Sequence, residues 1–396
     1  SPDPQSETMQ NRLSPRAILD QLVQFPTVSR DTNLPLIDWV EAYLAEHGVQ
    51  SYRHVKSDDP LKAGLFAHVG PEVAGGVVLS GHTDVVPTDG QPWSTDPFTV
   101  TEKDGKLYGR GTTDMKGFDA LAIWALVEAQ HRGVTRPVQI ALSYDEEIGC
   151  TGAPPLIEAM QGIVPRADTV IVGEPTMLKA VTGHKGSVSY TLHVHGFEVH
   201  SSVLHTGVSA IMYGGKLIEW ANRMNDESAA ATPAPVAAMF DPPYTNVHVG
   251  VIHGGTAHNI TAKDCELVMT IRVVPGESLE HWDNSLRAAV AEVEAQMQAV
   301  RPETWIEITP NSALPPFKSD DAGSAETLVR QLTGDNGKQY VSYGTEASHF
   351  QSAGYSVVVC GPGDIAVAHQ PDEFITVDQF NKGQAFMERL LDHLST

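Results

Sequence analysis

Gly76-Val77-Val78-Leu79-Ser80-Gly81-His82-Thr83-Asp84 is a short apolar run that stops at a histidine and an aspartate. It reads as a strand buried on both faces, the kind found in parallel sheets. The same form recurs at Val138-Gln139-Ile140-Ala141-Leu142, at Val170-Ile171-Val172 and at Ser356-Val357-Val358-Val359-Cys360. Between the first two, Phe118, Leu121, Ile123, Leu126 and Val127 follow a helical pattern that Gly133 closes. An amphipathic stretch from about Ser14 to His47 precedes them all. Strands alternating with helices predict an α/β domain, with helices on both faces of a mixed, mostly parallel sheet.

The middle of the chain has another character. Ser187 to His195 alternates like a half-exposed strand, and Val208 to Met224 reads as a helix. Strands over Thr245–Val251 and Cys265–Val273, a long helix over Leu279–Val300 and a short strand over Trp305–Thr309 follow. The order β-α-β-β-α-β is that of a ferredoxin-like α+β unit. Because Val357 resumes the first sheet, this unit is an insertion. The expected domains are residues 1–181 and 313–396 for the first and 182–312 for the insertion, with Ala229–Ala238 as a surface loop.

At 396 residues the chain exceeds what one core usually organises. Asp plus Glu outnumber Lys plus Arg by 49 to 26, a formal charge of −23. That balance argues against nucleic acid, whose affinity comes largely from Lys and Arg on phosphates, and against an anionic membrane surface. No apolar run approaches the roughly 20 residues that span a bilayer. Ser1-Pro2-Asp3-Pro4 lacks the basic and apolar segments of a signal peptide. Cys150, Cys265 and Cys360 form no close-spaced motif and read as small buried residues. The expectation is a soluble, cytoplasmic protein.

The chemistry follows the strand ends. His82 and Asp84 follow Leu79, Asp145-Glu146-Glu147 follow Leu142, and Glu174 follows Val172. His369 lies past Val359, and Asp114 sits in Gly109-Arg110-Gly111-Thr112-Thr113-Asp114. In open α/β sheets, sites form outside the carboxyl ends of the strands. One edge would then gather two histidines and at least four carboxylates, whose repulsion a cation relieves. Imidazole with carboxylate suits zinc or a similar ion. His82, Asp114, Glu147, Glu174 and His369 are enough for two ions if one carboxylate bridges. Asp84, two residues from His82, is positioned to accept its second ring N–H. Glu146 and Glu147 are expected to point apart, one binding metal and one free as a base. His54, His131, His184 and His193 are left as structural or surface residues.

These segments, Ser80–Pro87, Gly109–Gly117, Asp145–Glu147 and Gly173-Glu174-Pro175-Thr176, resemble the M20 family of two-zinc peptidases and deacylases. Ala368–Phe374 and Gly344-Thr345-Glu346-Ala347 look most like the branch that deacetylates N-acetylornithine. The resemblance implies a zinc-peptidase-like catalytic domain carrying a lid and dimerisation domain, and hence a homodimer. It implies two Zn²⁺, with Co²⁺ as a substitute: His82 and Glu174 on one ion, Glu147 and His369 on the other, Asp114 between them. It implies Glu146 as general base and then general acid, acting through a hydroxide bridging the two ions. His200 would supply an oxyanion donor, often across a dimer interface, with His205 as second choice. Arg272 would bind the substrate carboxylate, assisted by Asn259, and Glu346 would select the side chain. Glu373 would either support the centre from behind or cap a helix. A cis peptide is implied at Asp114–Met115. The expected substrate is an N-acyl amino acid; the alternatives are succinyl-diaminopimelate desuccinylase, dipeptidase or carboxypeptidase, or a metal-binding protein without catalysis.

Overall fold

The computed structural model describes residues 12–396, so the reading of Ser1–Pro4 lies outside the described residues. The chain divides into two compact units. A catalytic unit comprises the chain up to Thr182, Ser319–Gln339 and Thr345–Thr396; an insertion comprises Gly183–Lys318 with Tyr340–Gly344. The second crossing falls after Lys318 and not at residue 312, because the insertion's last strand runs on to Leu314 and Phe317–Lys318 pairs with Gly183–His184.

In the catalytic unit, helices α1 (Pro15–Gln24) and α2 (Leu34–Glu46) precede strands β1 (Ser51–Lys56), β2 (Asp59–Val69) and β3 (Val77–His82). Helix α3 (Gly117–Arg132), β4 (Val138–Ser143), α4 (Ala153–Ile163) and β5 (Thr169–Val172) follow. The insertion contributes β6 (Gly186–His195), α5 (Ala210–Ala230), β7 (Asn246–Gly254), β8 (Asp264–Val273), α6 (Leu279–Val300) and β9 (Trp305–Leu314). Then come α7 (Ser324–Thr333), α8 (Ala347–Ser352), β10 (Ser356–Val359) and α9 (Val377–Leu394).

Six strands of a nine-stranded sheet run in the order β1-β2-β4-β3-β5-β10. Strands β4, β3, β5 and β10 are mutually parallel, while β1 and β2 are antiparallel and Val181 pairs antiparallel with Val359. The sheet is thus mixed, and the expected parallel character is confined to the four strands whose ends carry the candidate residues. Both its faces are apolar. Leu65, Val77, Leu79, Ile140, Ile171 and Val358 enter a cluster with α1, α2, α3, α7 and α9. Their neighbours Phe66, Val78, Ala141, Val170 and Val357 are equally buried on the other face, where α4 and α8 pack. This is why the strands read as continuous apolar runs. Helix α3 is buried nearly all round, from Phe118 to Ala129, and Gly133 ends it at φ +77°.

The insertion has one buried sheet face. Val188, Tyr190, Leu192 and Val194 of β6 pack with Leu217 and Trp220 of α5 and with Leu286 and Val290 of α6. The sheet order is β7-β8-β6-β9, antiparallel throughout, as in a ferredoxin-like unit. Helix α5 runs six residues beyond Met224, to Ala230, so the expected loop begins as helix, and Ala237 is buried.

Candidate metal centre

His82 closes β3, Glu174 stands two residues past β5, and Asp145–Glu147 follow β4. Because these strands are parallel neighbours, their carboxyl ends open on one edge. Two glycines allow the close packing behind it. A Cβ on Gly81 would lie 2.0 Å from Asp119 Oδ1, and one on Gly173 would lie 2.1 Å from the Phe118 ring. Asp114 approaches from the turn that precedes α3, and the Asp114–Met115 peptide that follows it is cis. His369 reaches in at φ +66°.

The distances sort the residues into two groups that share Asp114. His82 Nε2 lies 3.1 Å from Asp114 Oδ1 and 3.2 Å from Glu174 Oε1. His369 Nε2 lies 2.9 Å from Asp114 Oδ2 and 3.1 Å from Glu147 Oε2. Each oxygen of Asp114 therefore faces a different histidine.

Glu146 and Glu147 do not point apart. Glu146 Oε2 is 3.3 Å and Glu147 Oε1 is 3.8 Å from His82 Nε2. The alternation rule applies to extended chain, and here the chain turns. Asp145 has φ +58°, and the Glu146 carbonyl accepts the N–H of Gly149 and of Cys150. The turn is held from both sides. Lys56 and Lys62 bind the buried Asp145 carboxylate, and Asp84 accepts the backbone N–H of Glu146 and of Glu147, each at 3.1 Å. Asp84 thus does more than was expected of it. The nearest acceptor for His82 Nδ1 is the Asp84 carbonyl at 2.8 Å, with the carboxylate at 3.5 Å.

Glu373 accepts the backbone N–H groups of Gly111, Thr113 and Asp114 and pairs with Arg110, which is fully buried. It clamps the Asp114 loop by accepting N–H groups at the start of the short helical turn Thr112–Lys116. Arg110 also donates to the carbonyls of Pro87 and Gln370, and Gln91 donates to that of His369. Pairing of Phe374 with Tyr108 brings these loops together.

The charges are out of balance. Burial, then the neighbouring carboxylates, hold Glu146 and Glu147 well above the ordinary carboxyl range. Burial and Asp114 push Glu174 up to about 7. Burial opposes ionisation of Asp114 too, but hydrogen bonds from His369 and His82 keep it well below its usual value. Glu147 Oε1 and Glu174 Oε1 are buried without a hydrogen-bond partner. Two imidazoles, three glutamates and a shared aspartate, with orphaned oxygens aimed inward, fit a pair of divalent transition ions. His82, Asp114 and Glu174 would hold one, and His369, Asp114 and Glu147 the other.

The remaining candidates separate. Glu346 is buried and accepts the Ser143 hydroxyl at the end of β4, and burial pushes its carboxyl up to about 8. His200, Asn259 and Arg272 are exposed on the insertion. His200 Nδ1 lies 2.8 Å from Ser202 Oγ, and the Asn259 carbonyl accepts the Ser201 N–H. His205 is exposed nearby. Arg272 pairs with Ser187 at the start of β6, whereas His200 follows that strand's far end. The residues that sequence reading missed are Ser29, which donates to Asp84, and Lys56, Lys62, Gln91 and Arg110. No local signal marks them, because each acts on a segment distant in the chain.

The family model "Peptidase family M20/M25/M40" matches residues 78–393. The chain belongs to this family. It is a metal-dependent amide hydrolase of the M20 type. An acetylornithine deacetylase of Myxococcus xanthus is 36% identical over 96% of this chain and 97% of its own. One of Proteus mirabilis is 34% identical, over 94% and 95%. An M20 family metallo-carboxypeptidase from Sulfolobus solfataricus shares the fold, with a TM-score of 0.77, 16% identity, and coverage of 96% of this chain and 98% of that one. No helix among the described residues is long and apolar enough to cross a membrane.

Proposed function

We propose that this M20 enzyme removes the acetyl group from N-acetylornithine, releasing ornithine and acetate, as a step of arginine biosynthesis. The observation that carries this reading is near-full-length identity of about 35% to acetylornithine deacetylases, in a chain whose five candidate ligands and base all converge. Two zinc ions, or cobalt in their place, supply Lewis acidity and lower the pKa of water. The protein's own residues do the rest. Asp114, held by Glu373, keeps His82 and His369 in register. Glu146 takes the proton of the attacking water on Oε2 and passes it to the leaving amine nitrogen, a general base and then a general acid. Arg272 pairs with the substrate α-carboxylate, Asn259, which lies beside His200, assists it from a second copy, and Glu346 meets the δ-ammonium.

His200 donates to the oxyanion, and we infer that it does so in a homodimer. Eight residues of β6 separate Ser187, beside Arg272, from His195, five residues before His200. At about 3.3 Å per residue that is roughly 26 Å of sheet, so one insertion cannot bring both to one substrate. Edge strand β7 carries Val251 and Ile252 at 44% exposure each, a surface suited to a second copy. A cytoplasmic location accompanies this reading.

The test is a hydrolysis screen of the zinc- or cobalt-loaded protein across acetyl, succinyl and formyl amino acids and dipeptides. The highest kcat/KM is expected for N-acetylornithine. Faster turnover of a succinyl derivative or a dipeptide overturns the assignment.

A further inference from the structure

The insertion carries a second set of metal-ligating side chains, on the sheet face turned away from α5 and α6. His193 and His195 stand two apart on β6 and share that face. The neighbouring strands bring their partners. Asp264 of β8 and Trp305 of β9 pair with His195, and Glu307 of β9 pairs with His193. His193 Nε2 lies 2.8 Å from Asp264 Oδ1, and His195 Nδ1 lies 3.8 Å from the same oxygen. The other nitrogen of His195, Nε2, lies 3.4 Å from Glu307 Oε2. Among the described residues, neither Asp264 nor Glu307 pairs with a lysine or arginine.

We propose that His193, His195 and Asp264 bind a divalent transition-metal ion, independently of the centre at Asp114. Donors about 2.0–2.1 Å from a tetrahedral ion stand roughly 3.4 Å apart, and the separations of 2.8 and 3.8 Å bracket that spacing. Two imidazoles with one carboxylate select zinc-like ions over magnesium or calcium. Glu307 supplies what a metal-bound imidazole needs, an acceptor for its second N–H, which fixes the tautomer so that Nδ1 faces the ion. The backbone is prepared for it, since β6 is hydrogen-bonded on both sides. The two rings now stack, with centroids 3.9 Å apart and planes 18° apart. Convergence of the planes on one ion requires a turn about χ2, a broad torsion for histidine. Three protein donors leave the remaining positions to water. The ion would tie β6 to β8 and, through Glu307, to β9.

Trp305 provides a local reporter, because its indole stacks on His195 at 4.4 Å. The full chain, stripped with chelator, is titrated with Ni²⁺ while bound ions are counted by equilibrium dialysis and tryptophan emission is followed. The parent is expected to bind one ion per chain more than either His195→Gln or Asp264→Asn. A phase of quenching should accompany that ion and vanish in Trp305→Phe, whose ion count stays at the parent value. Circular dichroism and amide hydrolysis establish that the variants are folded. Equal ion counts in the parent and both folded variants overturn the proposal. The count is a difference between proteins sharing an intact Asp114 centre, so it stands or falls apart from the proposed reaction.

Discussion

The catalytic unit buries His82, Asp84, Asp114, Glu174, Glu346 and Glu373 within a few residues of strand ends and loops, with Arg110, Lys116 and Asp119 beside them. In the insertion the buried charged side chains reduce to Lys185, next to His184, and the polar residues of β6 lie on an open sheet face. Burying an ionised group costs several kcal/mol unless something compensates it. The first unit meets that cost with hydrogen-bonded clamps and a donor set suited to cations. The second avoids the cost, and its candidate residues, His200, Asn259 and Arg272, are exposed. The two units therefore place their candidate residues on different physical grounds, one on desolvated charge and the other on solvent-exposed side chains.

The contrast is tested most severely at Asp114. Asp114→Ala should remove both ions, because each of its oxygens serves one group, and should reduce hydrolysis to background. Elemental analysis showing two ions retained, with normal turnover, would break the bridging assignment. Glu146→Gln should retain the ions and lose about 10²–10⁴-fold in kcat, or more because the group acts twice. A metal-loaded Glu146→Gln protein with near-parental kcat would remove Glu146 as the base.

A third prediction concerns acid stability. Burial lowers the pKa of His349, at α8, to about 4 from the ordinary 6.5. Between those values the unfolded chain binds the proton and the folded chain does not. Stability from this group is thus present above pH 6.5 and is lost as pH falls towards 4, by on the order of 3 kcal/mol. Urea titrations of His349→Gln should show a shallower loss over that window. An unchanged slope would show that acid sensitivity resides elsewhere.

The smallest effects belong to recognition. Arg272→Ala should cost about 1.5–3 kcal/mol in kcat/KM, mainly through KM, for every substrate bearing an α-carboxylate. Glu346→Gln should cost about 1–3 kcal/mol for N-acetylornithine and little for N-acetylmethionine. Equal losses on both substrates would remove Glu346 as the selector, and a pure kcat effect of Arg272→Ala would blur the division between the units.

The metal-binding cleft was legible because its residues sit in short segments at the ends of apolar runs. Parallel strands must present those ends on one edge, so the sequence itself groups His82, Glu147 and Glu174. The supporting residues had no such mark. Glu373 lies 259 residues from the Asp114 N–H it accepts, and Ser29 lies 55 residues from Asp84. The same holds for His193, read as structural or surface, whose partner Asp264 is 71 residues away on a neighbouring strand.

Sequence alone determined the elements and their faces. Apolar continuity and alternation follow from how many sides of a strand meet the core, which is a local property of each strand. Only the tertiary structure decided which oxygen of Asp114 faces which histidine, that Glu146 and Glu147 turn inward together, and that Arg272 and His200 lie by opposite ends of β6. Those outcomes depend on turns such as that at Asp145, with its φ of +58°, and on register between strands. Both are settled by the balance of many distant contacts, which no single segment encodes.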